Sequence, residues 1–160
     1  MATHTSRGDT RMRLFHSQTS PFVKKVLVAA WEVGAARDID LVACKASHVN
    51  RDAAIMQYNP MGQVPTLVLE DGSYLADSRV ICEYLNHRYD GVLFPEPGER
   101  RWRALRLDAM ATTMMEAAVL ARLEIRIRPE THHYQPWVDA QFSKLSSGLA
   151  ALENEASVFD

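Results

Sequence analysis

NPMGQVPTLVLEDGSYLADS, residues 59–78, carries a Gly-containing loop, a Pro after Val64, an apolar run, Asp71-Gly72, a second short run and Asp77-Ser78. Asp-Gly between two strand-like runs is the strongest short hairpin signal, because both residues of a tight turn must accept positive φ. Residues 66–69 and 74–76 are therefore predicted as two antiparallel strands. Pro65 stands just before the first, where a missing N–H does least harm to a ladder. Asp77 or Ser78 then caps a helix carrying Val80, Ile81, Tyr84 and Leu85 on its apolar side.

Upstream, RLFH at 13–16 reads as a short strand, and 17–20 as a loop entering a helix. Ser20 suits the N-cap and Pro21 the first helical position. Phe22, Val26, Ala29, Ala30 and Val33 recur at helical spacing, with Gly34 near the expected stop. A strand is predicted at 39–43 and a short helix at 52–58, ended by Asn59-Pro60. The order is βαβα followed by ββα, which resembles the thioredoxin-like α/β arrangement and calls for a right-handed crossover in its first half.

Downstream, GVLFPEPG at 91–98 is a breaker-rich linker. A long helix is predicted over 99–128, with Trp102, Leu105, Ala109, Met110, Thr113, Ala117, Leu120 and Leu123 on one side and Pro129 ending it. Another is predicted over 135–155, with Trp137, Phe142, Leu145, Leu149 and Leu152. The expected organisation is a disordered leader at 1–11, an α/β domain at 12–90, the linker, and an all-helical domain at 99–160 that is incomplete. Two helices alone leave an apolar face uncovered.

A chain of 160 residues is long enough for a proper core, and a net charge of -2 points to neither a nucleic-acid nor an anionic-membrane partner. No run reaches the length of a membrane-spanning helix, and the polar start is not a signal peptide. Cys44 and Cys82 form neither a CxxC pair nor a metal spacing and are read as buried, inert thiols in a reduced, cytoplasmic protein. His132 and His133 are adjacent, point to different faces and lack a ligand set, so they read as solvent-facing and no metal is expected. The basic run from Glu99 to Arg106 reads as a solvated face or dimer edge.

The 59–78 stretch resembles the glutathione-binding half of the glutathione S-transferases. In that family the Val-Pro pair before the third strand is cis and its Val backbone pairs with the cysteinyl part of glutathione, while the acidic-Ser pair opening the next helix holds the γ-glutamyl end. Val64-Pro65 and Asp77-Ser78 match both. The resemblance also implies a role for Gln63, and for Arg51 near the glycyl carboxylate, with His48 a weaker candidate. Ser20-Pro21-Phe22 matches the loop where Ser-type and Cys-type members carry the catalytic residue; Ser17 lies in the same loop, as does Thr19.

A Ser there favours holding glutathione as a thiolate for attack on a small hydrophobic electrophile. The plainer reading of Ser20 is a helix cap, and of Arg51 a solvated charge. An electrophile pocket is expected between the domains, with Trp102, Arg106 and Met110 as liners, although such a stripe also reads as core. The resemblance further implies a homodimer, with Arg79, Tyr84, Met110 and Met114 near the two-fold axis. Two other readings stay open: a non-catalytic binding scaffold, and a glutathione-dependent disulfide or peroxide reductase.

Overall fold

The computed structural model describes residues 11–45 and 47–156. The leader expected over 1–11 lies, Arg11 apart, outside the described residues. The chain divides into two compact units, one ending at Phe94 and one beginning at Pro95.

In the first unit the elements run β1 (Met12–His16), α1 (Pro21–Glu32), a 3-10 turn (Ala35–Asp38), β2 (Ile39–Ala43), α2 (Ala53–Met56), β3 (Thr66–Val68), β4 (Tyr74–Leu75) and α3 (Ser78–Arg88). The sheet order is β2-β1-β3-β4. β1 pairs parallel with β2 and antiparallel with β3, and β3 pairs antiparallel with β4. This mixed four-stranded sheet is the thioredoxin-like arrangement that the element order predicts.

Successive strand residues alternate faces, and the core divides accordingly. Leu14 and Leu67 join Val26 and Ala30 of α1 and Ile81 and Leu85 of α3 in one cluster. Phe15 and Val68 join Ile55 of α2, with Tyr58 and Val64 packed against them, in a second. Helices thus cover both faces of a thin sheet.

Two local expectations are corrected. The hairpin is not a two-residue turn with positive φ at both Asp71 and Gly72: only Gly72 takes the left-handed conformation, at φ 86°. Gly72 N–H donates to the Leu69 carbonyl and Leu69 N–H to the Ser73 carbonyl, so three residues form the loop. A three-residue loop needs one left-handed residue, its Gly, and the Asp71 side chain is left to accept from Ser73 N–H. On α3, Val80 is 46% exposed, and Cys82 takes the buried place expected for it. Ser78, Ile81, Cys82 and Leu85 share one face at 100° per residue, and Val80 lies opposite.

The second unit holds α4 (Glu99–Arg126), a 3-10 turn (Glu130–His132) and α5 (Gln135–Glu155). α4 stops short of residue 128 because Pro129 biases the residue before it away from the helical region. The buried stripes differ from those expected except at Ala117. On α4 they are Thr112, Ala117, Ala121 and Glu124, and on α5 Val138, Gln141 and Gly148, each within one residue of Trp137, Phe142 or Leu149. Small residues let two helices approach closely: a Cβ at Gly148 would lie 2.5 Å from Met114 Sδ. Trp102, Trp137, Phe142 and Leu149 stay exposed.

Glu124 ties α4 to the start of α5. Its carboxylate accepts from Tyr134 N–H at 3.0 Å and from Arg128 Nε at 2.9 Å. The Tyr134 bond first, and then the Arg128 guanidinium, hold its carboxyl below the usual range against the opposing effect of burial. The unfolded chain therefore binds this proton more tightly than the folded one. The stabilisation is complete above the ordinary carboxylate pKa and is lost as pH falls through the depressed folded value. Thermal midpoints of Glu124→Gln, followed by far-UV circular dichroism, are expected to fall less steeply than wild type between about pH 5 and pH 3. Parallel curves would remove Glu124 from the acid response.

Candidate functional site at one end of the sheet

Strand register decides which loops meet. His16 pairs with Ala43, Phe15 with Thr66, and Leu67 with Leu75. Segment 17–20 after β1, residues 44–45 and 47–52 after β2, segment 59–65 before β3 and segment 76–78 after β4 therefore all emerge at the same end. That end gathers Ser17, Ser20, Arg51, Gln63, Val64, Pro65, Asp77 and Ser78. It also receives the N-termini of α1 and α3, whose helix dipoles favour anionic ligand groups.

Ser20 is the N-cap of α1, with extended φ and ψ, and its Oγ accepts from Val23 N–H at 3.3 Å. That bond uses a lone pair and leaves the O–H available to donate. Ser17 Oγ lies 3.4 Å from Thr19 Oγ1, and the Ser17 carbonyl accepts from Ser20 N–H, which closes the loop on itself.

Asp77, and not Ser78, caps α3: Asp77 Oδ1 accepts from Arg79 N–H at 2.8 Å and from Val80 N–H at 3.5 Å. Ser78 is the first helical residue and is buried. The Val64–Pro65 peptide is cis. Val64 is half-buried and Gln63 exposed. The Arg51 guanidinium donates to the Pro60 carbonyl at 3.2 Å, linking the segments before β3 and after β2, while His48 is exposed. Cys82 is buried, whereas Cys44 is half-buried and not enclosed as expected; its thiol donates to the His16 carbonyl.

The residues expected to face an electrophile belong to the helical unit, where they follow one another at four-residue spacing along α4. Met110 lines an open groove of about 450 Å³ with Thr113, Met114, Ser143, Lys144, Ser147 and Gly148. Trp102 is exposed, and Arg106 donates to Glu155 at 2.6 Å.

Two residues of the first unit escaped the sequence reading. Asn59 and Thr66 are both buried, and Asn59 Nδ2 donates to Thr66 Oγ1 at 2.9 Å. The available signal was a polar residue at each end of the Pro-Met-Gly-Gln-Val-Pro segment, both adjoining apolar neighbours.

A mixed sheet of this order, with a capped helix N-terminus on each side of a cis-Pro loop, defines a glutathione-transferase-type domain. The family model described as glutathione S-transferase, N-terminal domain, matches residues 19–88. A GST-like protein of Escherichia coli K12, YibF, carried as uncharacterized, is 30% identical over 143 residues, which span 89% of this chain and 68% of the relative.

Among solved structures, a glutathione transferase family member from Pseudomonas fluorescens Pf-5 with bound glutathione is 43% identical. It superposes with a TM-score of 0.86 over 91% of this chain and 71% of its own. A glutathione S-transferase from Methylobacillus flagellatus KT with glutathione bound is 36% identical, with a TM-score of 0.80 over 90% and 69% of the two chains. The chain belongs to the glutathione S-transferase family.

Proposed function

We propose that this chain binds reduced glutathione at the sheet end described above and directs its sulfur, as a thiolate, at a small hydrophobic electrophile. The observation that carries the reading is the convergence, through strand register, of Ser20, Val64 and Asp77-Ser78 beside two helix N-termini. Val64 offers backbone groups to the cysteinyl part. The Asp77 carboxylate suits the γ-glutamyl ammonium, and Ser78 with the α3 N-terminus suits its carboxylate. Ser20 donates to the sulfur and lowers the pKa of a thiol that is otherwise about 8.5. Gln63 and Arg51 are the residues proposed for the glycyl end.

Trp102, Arg106 and Met110 stand as proposed electrophile-facing residues of the helical unit, and a cytoplasmic homodimer is the proposed working form. No helix among the described residues is long and apolar enough to cross a membrane.

Thermal unfolding with and without millimolar reduced glutathione tests the binding step. A ligand that binds only the folded state raises the transition in proportion to ln(1 + [L]/Kd). A cooperative transition that does not move would sink the reading. A transition that moves, with no conjugation of a chloronitrobenzene, would leave a binding protein without catalysis. Ser78→Ala should weaken glutathione binding about tenfold by calorimetry, the usual loss for a hydrogen bond to a charged group. An unchanged affinity would take Ser78 out of the site.

A further inference from the structure

We propose that Asn59 and Thr66 are positioning residues that hold segment 59–65 in the shape that presents Val64 to glutathione. The proposal rests on the glutathione reading and deepens it.

Asn59 is hydrogen-bonded through its backbone N–H and carbonyl and through both ends of its side-chain amide, and all but the N–H bond fall within residues 59–66. Its backbone N–H donates to the Ile55 carbonyl at the end of α2, and its carbonyl accepts from Gly62 N–H. Its Oδ1 accepts from Met61 N–H at 3.0 Å. Its Nδ2 donates to Thr66 Oγ1, and that hydroxyl in turn donates to the Gln63 carbonyl at 2.7 Å. Amide, hydroxyl and carbonyl form a directional chain in which each bond polarises the next.

Location gives the chain its purpose. Asn59 is 3% exposed and Thr66 is fully buried, whereas Met61 is 62% exposed and Gln63 also faces solvent. The interior of the loop is thus pinned while its rim is open to a ligand. Thr66 is the first residue of β3 and pairs with Phe15 of β1, so the loop is referred directly to the sheet. Gly62 adopts φ 63°, and a Cβ there would approach Arg51 Cβ at 3.1 Å, which keeps the segment close against Arg51. Backbone recognition by Val64 needs its N–H and carbonyl aimed before the ligand arrives; otherwise binding must order the loop at the cost of affinity.

Thr66→Val keeps the shape and removes the hydroxyl, stranding Asn59 Nδ2 and the Gln63 carbonyl, while Thr66→Ser keeps the hydroxyl. Glutathione dissociation constants, measured by calorimetry on protein confirmed folded, are expected to rise about tenfold or more for Val and to stay within about threefold for Ser. If Thr66→Val lowers the melting point but binds glutathione like wild type, the role is structural only and the proposal is overturned. Absence of binding by wild type would instead sink the functional reading, and this proposal with it.

Amide exchange in the unsubstituted protein covers the case in which Thr66→Val does not fold. The Met61 N–H should exchange at least about tenfold slower than in an unstructured peptide despite its exposure. Exchange at the peptide rate would show a loop that is not held, and would equally overturn the proposal.

Discussion

In Ser20→Ala, the thiol of bound glutathione is expected to return towards its free pKa of about 8.5, and kcat/KM for conjugation to fall by roughly 10- to 100-fold. Ser20 Oγ already accepts from Val23 N–H, so its role as a cap uses the oxygen and not the proton. The proton is what a thiolate beside the α1 N-terminus would accept. Hydrogen bonds to charged groups contribute about 1.5–3 kcal/mol, and that range sets the expected loss of rate.

The same substitution removes the cap, at about 1 kcal/mol of stability, so the melting point should drop slightly whatever the catalytic outcome. A spectroscopic titration of the bound thiolate separates the two effects, because loss of a cap alone does not move the pKa. If Ser20→Ala lowers the melting point but leaves the thiol pKa and turnover unchanged, the donor must be sought at Ser17. Ser17→Ala, run in parallel, is expected to have the smaller effect.

Leu67→Ala is expected to destabilise the first unit by roughly 2–5 kcal/mol, which for a unit of this size lowers the melting point by more than about 10 °C. Leu67 is fully buried at the centre of β3, between Leu14 and Leu75 in register, and packs among Val26, Ile81 and Leu85. The cavity would open beneath the strand that begins at Thr66, so glutathione affinity is expected to weaken as well. Val80→Ala is the matched control. Val80 is 46% exposed on the opposite face of α3, and its truncation should change stability by no more than about 0.5 kcal/mol. A Val80 effect as large as that of Leu67 would reverse the assignment of the α3 faces.

The first unit was legible wherever the signal was local. Ser20-Pro21 at a helix start, Asp77-Ser78 before an apolar period and the run at 39–43 each act through residues a few positions apart, and all three elements formed as read. The hairpin was placed correctly and its turn type was not. Asp-Gly serves both two- and three-residue loops, and the pairing of Leu69 with Ser73 chose between them. The helical unit was legible in element type and much less in facing. α4 and α5 have apolar or small residues around much of their circumference, so several stripes satisfy a 3.6-residue period.

By itself the sequence determined which segments become helix or strand, because capping, proline geometry and turn chemistry act over four or five residues. Tertiary structure decided which of several apolar stripes on α4 and α5 was buried: Ala117, Ala121 and Gly148 permit close approach, whereas Trp102, Phe142 and Leu149 do not. Tertiary structure also joined Asn59 to Thr66, since their hydrogen bond exists only once pairing with β1 has set where β3 begins.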